Sequence, residues 1–245
     1  MSLWARLDCA IDLGASRVRL LVCGRGIVLD EAVDELIERD RFRDRGQLIE
    51  AVLKEAFKRA HLRTGWLCPV RRIMLAVPFG ADMVERRFFD DVLRSLGAKA
   101  VYLIESPMAA AIGSGCEVSN SKASCIVDVG ARHVQAALIS LAGIVACRTA
   151  ERVDAEDDKR LTERVIELVR GAIDECLNKG RYNLVDDLTE KGIVLSGGGA
   201  LKAGLAASVS EALHCPVRVA DEPRLAVING VGVVLPQLDY LQRRR

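Results

Sequence analysis

No two of the eight cysteines in this 245-residue chain form a CxxC pair, so the spacing of a zinc ribbon or a thioredoxin-type redox site is missing. Several fall in apolar runs such as SCIVDVG, where they read as reduced core thiols. No apolar run reaches the roughly 18 residues that a membrane-spanning helix needs, and no cleavable signal opens the chain. Both absences predict a cytosolic protein that does not span a membrane. A strong charge of one sign is missing as well. The formal net charge is +1, with basic residues interleaved among acidic ones, so the footprint of a nucleic-acid binder is not there. Only the closing run Arg243, Arg244 and Arg245 departs from that balance.

What is there is a chain half hydrophobic in composition, long enough for one large or two small domains with substantial cores. The most informative stretch runs from Ala76 to Gly115. A short apolar strand, a turn, a charged amphipathic helix and a second strand lead there to a small-residue helix opened by Pro107. That is a βαβα unit. Upstream, Leu7 to Cys23 reads as two strands joined by a turn at Gly14, and Gly24 to Asp30 as a turn and a third strand. Asp30 to Asp44 is short, charged and without strand alternation. It runs into RGQLIEAVLKEAFKRAHL, whose Leu48, Ile49, Val52, Leu53, Ala56, Phe57 and Ala60 follow helical spacing.

Downstream, CIVDVGARHVQAALISLAGIVACR reads as a second strand pair. The polar ERVDAEDDKR then links to a helix with Leu161, Val165, Leu168, Val169, Ala172, Ile173 and Cys176 on its apolar side. The strand GIVLSGGGAL follows, with Gly197, Gly198 and Gly199 between it and another helix. PVRVA is a last strand, and DEP opens a closing small-residue helix.

Three features bear on function. A glycine turn such as that at Gly14 lets backbone N–H groups come close to a phosphate. A triple glycine between strand and helix lets backbone approach a nucleotide, the alternative being close strand-to-helix packing. Trp66 and Leu67, flanked by Arg63, Arg71 and Arg72, fit insertion into an anionic membrane surface or a tryptophan capping the preceding helix. The N-terminal Leu3, Trp4 and Leu7 read in the same two ways, as an amphipathic anchor or a frayed end packed on the core.

The block holding VERR, a strand and then SPMAAAIG resembles the MreB family of bacterial actin homologues, in which VERR is followed by a strand and an EPMAAAIG run. The resemblance extends from about Cys9 to Leu235, with two internal deletions. It implies an α/β, actin/DnaK-like (ribonuclease H-like) two-lobed fold reduced to its two core subdomains. Residues 1–117 would form the first lobe, its peripheral subdomain replaced by a short linker near 30–45. Residues 118–245 would form the second, its peripheral subdomain deleted near 150–160.

The resemblance also implies an adenine-nucleotide site. In the family, the hairpin matching Asp12 and Gly14 wraps the β and γ phosphates, with the aspartate directed to a metal-bound water. The hairpin matching Asp128 and Gly130 meets the γ-phosphate through consecutive glycines, and Gly197, Gly198 and Gly199 match the adenosine motif. This chain departs from the pattern in three places. Ala15, Ser16, Arg17 and Val18 follow Gly14, and Ala131, Arg132, His133 and Val134 replace glycines and threonines after Gly130. Ser106 stands where the family has the glutamate that positions the attacking water.

A hydroxyl is a far poorer base than a carboxylate, and Glu105 next door points elsewhere, since a helix turns by about 100° per residue. No catalytic residue and no protein metal ligand is therefore assigned, and ATP with magnesium is expected to bind weakly or not at all. The implied function is that of a degenerate cell-shape protein, cytoplasmic and peripheral at the inner membrane face through Trp66 and Leu67. It would self-assemble or act with an MreB-type filament, with ATP hydrolysis impaired or absent. Two other readings stay open. One is a nucleotide-binding switch or ATPase with weak ATP binding. The other is an actin-fold scaffold or chaperone-like module acting through partners, like the small actin-fold protein of ethanolamine-utilisation compartments.

Overall fold

Three strands joined by short turns open the chain: β1 (Leu7–Leu13), β2 (Arg17–Val22) and β3 (Gly26–Ala32). Turns this tight force antiparallel pairing, and the register sets Cys9 against Val22 and Asp12 against Arg19. α1 (Val33–Leu36) and α2 (Arg45–Arg59) follow, and β4 (Val70–Val77) returns parallel to β1 on its free side. α3 (Met83–Ser95) and β5 (Ala100–Glu105) complete a five-stranded sheet in the order β3-β2-β1-β4-β5. The structure, a computed structural model, describes residues 7–36, 45–62, 70–152 and 157–242. Trp66, Leu67, Arg63, Leu3 and Trp4 lie outside them.

Period-two alternation sends Cys9 and Ile11 of β1, Leu20 and Val22 of β2, and Ile73 and Leu75 of β4 to one face. There they meet Val52, Leu53, Ala56 and Phe57 of α2 and Phe89, Val92 and Leu93 of α3. A fully buried side chain such as Phe57 contributes about 1.5–3 kcal/mol. Asp82 starts α3 at a defined residue, its carboxylate accepting the Glu85 amide at 2.8 Å.

The same plan recurs in the second half. β6 (Ser124–Val129), β7 (His133–Ser140) and β8 (Gly143–Glu151) pair antiparallel. After α5 (Asp158–Asn178) and α6 (Tyr182–Lys191), β9 (Ile193–Ser196) lies parallel to β6. α7 (Leu205–Leu213) leads to β10 (Val217–Val219), parallel to β9. The order β8-β7-β6-β9-β10 repeats that of the first sheet, which is the α/β actin-like architecture expected above. One face of this sheet packs on α5 and α7 through Leu161, Val165, Val169, Leu205 and Val209. The other packs on α4 (Ser106–Gly113), whose Ala110 and Ala111 meet Ile126, Ala137 and Ile139.

By internal packing the chain divides into Met1–Ile104 with Val231–Arg245, and Glu105–Gly230. A division at 117/118 would instead put α4 in the first lobe and all of α8 (Ala226–Gln242) in the second. Among the described residues no helix is long and apolar enough to cross a membrane.

Two elements differ from the sequence expectation. The expected strand pair after Ser124 is a trio, because the chain reverses at Leu141 and Ala142, both at positive φ (50° and 58°). Two-residue hairpin turns require that conformation, but they announce themselves through Asn or Gly. α6 was not expected either, because its only buried apolar residues are Leu184 and Leu188.

α4 and α8 cross at very short range. A β-carbon on Gly113 would lie 1.8 Å from the Ala226 carbonyl oxygen, and one on Gly230 would lie 1.8 Å from that of Ala109. Alanine is intrinsically the better helix former by about 1 kcal/mol, yet here it must push two backbones apart. Gly113→Ala and Gly230→Ala are each expected to lower stability by about 2 kcal/mol or more, read as a shifted midpoint in urea denaturation; an unchanged midpoint would show that the helices separate freely.

Candidate functional site

Each sheet carries an aspartate as the penultimate residue of its first strand, with glycine and alanine just beyond the strand: Asp12 on β1, then Gly14 and Ala15, and Asp128 on β6, then Gly130 and Ala131. Both glycines are demanded by the hairpins they start. A β-carbon on Gly14 would lie 2.9 Å from the Arg17 carbonyl oxygen, and one on Gly130 would lie 3.0 Å from that of His133. In an open α/β sheet this carboxyl end of the strands is where ligands collect.

In the first unit, Asp12 faces a cation of its own chain. Arg19, cross-strand on β2, donates from Nη1 to Asp12 Oδ2 at 3.1 Å, and its Nε lies 3.2 Å from Asp30 Oδ1. Arg17 Nε reaches the same Asp30 oxygen at 2.7 Å and Arg17 Nη2 donates to the Asp30 carbonyl oxygen. Arg17 thus has its partner on β3. Burial lifts the Asp12 carboxyl above its ordinary value, and the neighbouring guanidinium only partly offsets this. Burial also opposes ionisation of Asp30, but the bonds from Arg17 and the charge of Arg19 hold it below the usual range.

In the second unit the sheet assembles what the sequence keeps far apart. β6–β9 pairing sets Asp128 beside Ser196, and the Ser196 hydroxyl donates to Asp128 Oδ1 at 3.0 Å. The glycines that follow are not alike. Gly197 has φ of 83°, and a β-carbon there would lie 2.4 Å from the Val129 carbonyl oxygen; one on Gly199 would lie 2.4 Å from Val129 Cγ1. Those two serve close packing of strand on loop. Gly198 has open space beside it, so packing does not explain it. Next to this turn a cleft of about 280 Å³ is lined by Asp158, Lys159, Thr162, Lys202, Gly204 and Ser208, with Lys202 paired to Asp158. A larger cleft of about 580 Å³, between α5 and α7, contains none of the expected site residues.

The β6–β7 turn is closed on itself. The Gly130 amide donates to the His133 carbonyl at 2.9 Å, so it is not presented to a phosphate. Arg152 secures the turn from outside: its Nη1 donates to the Gly130 carbonyl at 3.1 Å and its amide to the Arg132 carbonyl at 2.7 Å. The Arg132 side chain is on the surface.

Sequence reasoning missed Arg19, Arg152 and Ser196. For Arg19 the signal existed, because inward Val18, Leu20 and Val22 place it on the Asp12 face. For Arg152 there was none. Arg72, counted above among the arginines flanking Trp66, is part-buried and bonded to Asp8, so it is not free for lipid. The cysteines of the described residues are free thiols. Burial pushes Cys9 and Cys125 far up and Cys147 up to about 12, which removes them as nucleophiles at neutral pH.

The family model described as MreB/Mbl protein matches residues 45–170 and 149–243. This chain belongs to the MreB/Mbl family. Its two matched stretches overlap over 149–170, so the end of β8 and the first half of α5 are matched twice. The cell shape-determining protein MreB of Escherichia coli K12 is 28% identical over 327 aligned positions, covering 95% of this chain and 94% of the relative. That alignment is longer than the chain, so it opens gaps on this side. A crystal structure of MreB5 of Spiroplasma citri bound to ADP superimposes with a TM-score of 0.80 at 17% identity, covering 98% of this chain and 99% of the other. A MamK double helical filament gives 0.63 at 15% identity, covering 94% and 98%. These likenesses confirm the actin-like fold.

The contrast among the three glycines is testable. Gly197→Ala should destabilise by about 2–3 kcal/mol through strain and the Val129 clash, whereas Gly198→Ala should leave the thermal midpoint unchanged or slightly raised. Equal losses in the two variants would mean that Gly198 is a packing residue too.

Proposed function

We propose that this chain is a cell-shape protein of the MreB type that assembles with itself or with MreB-type filaments at the inner membrane face and does not turn over ATP. The observation that carries the reading is the head of α4. Ser106 is its first residue, with Pro107 next and Glu105 as the last residue of β5. The local structure is the one in which the resemblance places a water-positioning glutamate, and the side chain there is a hydroxyl. Such a group does not take a proton from water at neutral pH.

The hairpins support the same conclusion. The Gly130 amide is engaged within its own turn, and the residues after both glycines carry side chains where close backbone approach would be needed. Trimming of the two peripheral subdomains, near 30–45 and 150–160, is supported by the gapped E. coli MreB alignment and, at the second place, by the doubly matched 149–170 segment. Assembly is supported by the filament formed by MamK and by an apolar patch at the start of α3. There Met83 is 87% and Val84 78% exposed, with Phe79 in the turn before. Exposed apolar groups of this kind mark interaction surfaces.

A second reading, nucleotide binding without turnover, is favoured by the open flank of Gly198, the cleft beside it and the ADP held by the S. citri relative. On this reading backbone at Gly198 and the cleft that begins at Lys202 would hold the adenosine end of a nucleotide, with Asp128 kept in place by Ser196. Incubation with ATP and magnesium should release no phosphate above a protein-free control, while calorimetry detects at most weak binding that Gly198→Ala weakens further. Turnover comparable to that of a full-length MreB would overturn the reading.

Membrane contact is proposed through Trp66 and Leu67, with Arg63 and Arg71 as their basic neighbours. In sedimentation with anionic liposomes the Trp66→Ala, Leu67→Ala double variant should stay in the supernatant while the parent pellets. If both pellet equally, the loop is not the anchor.

A further inference from the structure

The family resemblance leads to the expectation that Asp12 faces a nucleotide-borne magnesium ion, and the first hairpin does not suit one. We propose that Arg19 is a resident counter-ion that keeps divalent cations off Asp12, so that the hairpin is electrically complete without metal. This rests on the reading of that hairpin as the counterpart of the family's phosphate hairpin, and it goes beyond the loss of turnover attributed to Ser106.

The geometry is specific. Antiparallel register sets Asp12 opposite Arg19 and Arg19 opposite Asp30. Side chains two apart on β2 share a face, so Arg17 joins them there. The result is a row of alternating charge, Asp12, Arg19, Asp30 and Arg17, across three strands, with Arg19 Nη1 on Asp12 at 3.1 Å and Arg17 Nε on Asp30 at 2.7 Å. Two carboxylates and two guanidinium groups sum to zero. Arg19 is 8% exposed and the Asp12 side chain 13%, so solvent and salt screen the pair poorly.

A magnesium or manganese ion drawn to Asp12 would sit beside a guanidinium that cannot shed its proton. It would have either to bear that repulsion or to turn Arg19 out of the sheet, stranding Asp30's second partner. Among the described residues no three carboxylate, imidazole or thiol groups gather to recruit a metal in its place.

The second sheet shows that the fold does not require an arginine there. Its equivalent position, opposite Asp128, is Gln135, which is buried and donates to Thr149 Oγ1 at 3.0 Å. Arg19 Nε is buried without a hydrogen-bond partner, 3.2 Å from Asp30 Oδ1.

The test needs no nucleotide, which separates it from the turnover reading. Thermal unfolding is followed in EDTA and in magnesium for the parent, Asp12→Asn, Arg19→Met and the double variant. If Asp12 pairs with Arg19, Asp12→Asn lowers the midpoint in EDTA by about 5–15 °C, because it removes one of the two carboxylates beside a buried guanidinium. The double variant then loses less than the sum of the singles, and magnesium leaves the parent unmoved.

A carboxylate awaiting a metal behaves oppositely. Its neutralisation raises the midpoint of the metal-free protein or leaves it unchanged, and magnesium stabilises the parent in a way that Asp12→Asn abolishes. Either result overturns the proposal. Manganese titration followed by electron paramagnetic resonance gives a second reading that depends on no unfolding midpoint: no bound ion is expected in the parent, and one that is lost in Asp12→Asn refutes the assignment. Phosphate release would sink the turnover reading and leave this one standing.

Discussion

Each sheet depends on one strand with two kinds of neighbour. β1 pairs antiparallel with β2 on one side and parallel with β4 on the other, and β6 does the same with β7 and β9. Antiparallel pairing through a tight turn fixes what lies opposite the aspartate, to the residue. Parallel pairing fixes which loop comes alongside. Asp12 therefore meets Arg19, and Asp128 meets Ser196 and Gly197. Slipping either register by one residue would send those side chains to the opposite face, into the apolar core.

That constraint explains why the residues at the carboxyl edge of each sheet look partly like a ligand site and partly like ordinary packing. Buried polar groups need partners, and each sheet supplies them from its own chain. Arg19 neutralises Asp12, Ser196 satisfies Asp128, and Arg152 covers the carbonyl of Gly130. Of the five glycines at these strand ends, 14, 130 and 197 answer to backbone crowding and 199 to the Val129 side chain, while Gly198 has open space beside it. Membership of the MreB/Mbl family and an actin-like architecture are thus compatible with aspartates already paired within their own sheets.

Much of the fold was legible in the sequence. The block from Ala76 to Gly115 gave strand, helix, strand, helix in the right order, and the apolar residues named for α2 and α5 are those that pack. Periodicity reports burial of a whole face, and long amphipathic helices display it clearly. The candidate site was legible only as a set of positions: Asp12, Gly14, Asp128, Gly130 and Gly197 to Gly199 all fall at strand ends. What each of them touches could not be read, because cross-strand partners depend on register and register on turn length.

The sequence by itself determined the family, most of the order of elements and the chemical departures at Ser106 and after each hairpin glycine, because these reside in residue identity and local pattern. The tertiary structure decided the rest. Leu141 and Ala142 turn in a left-handed conformation that neither favours, and the amides of both are bonded to carbonyls of Val118 and Asn120 in a loop outside the hairpin. Arg152 closes a turn more than twenty residues earlier, and Arg19 acquires its role only when β2 lies against β1. Contacts between segments distant in the chain leave no local pattern, and they alone set which charges are neutralised and which backbone remains open.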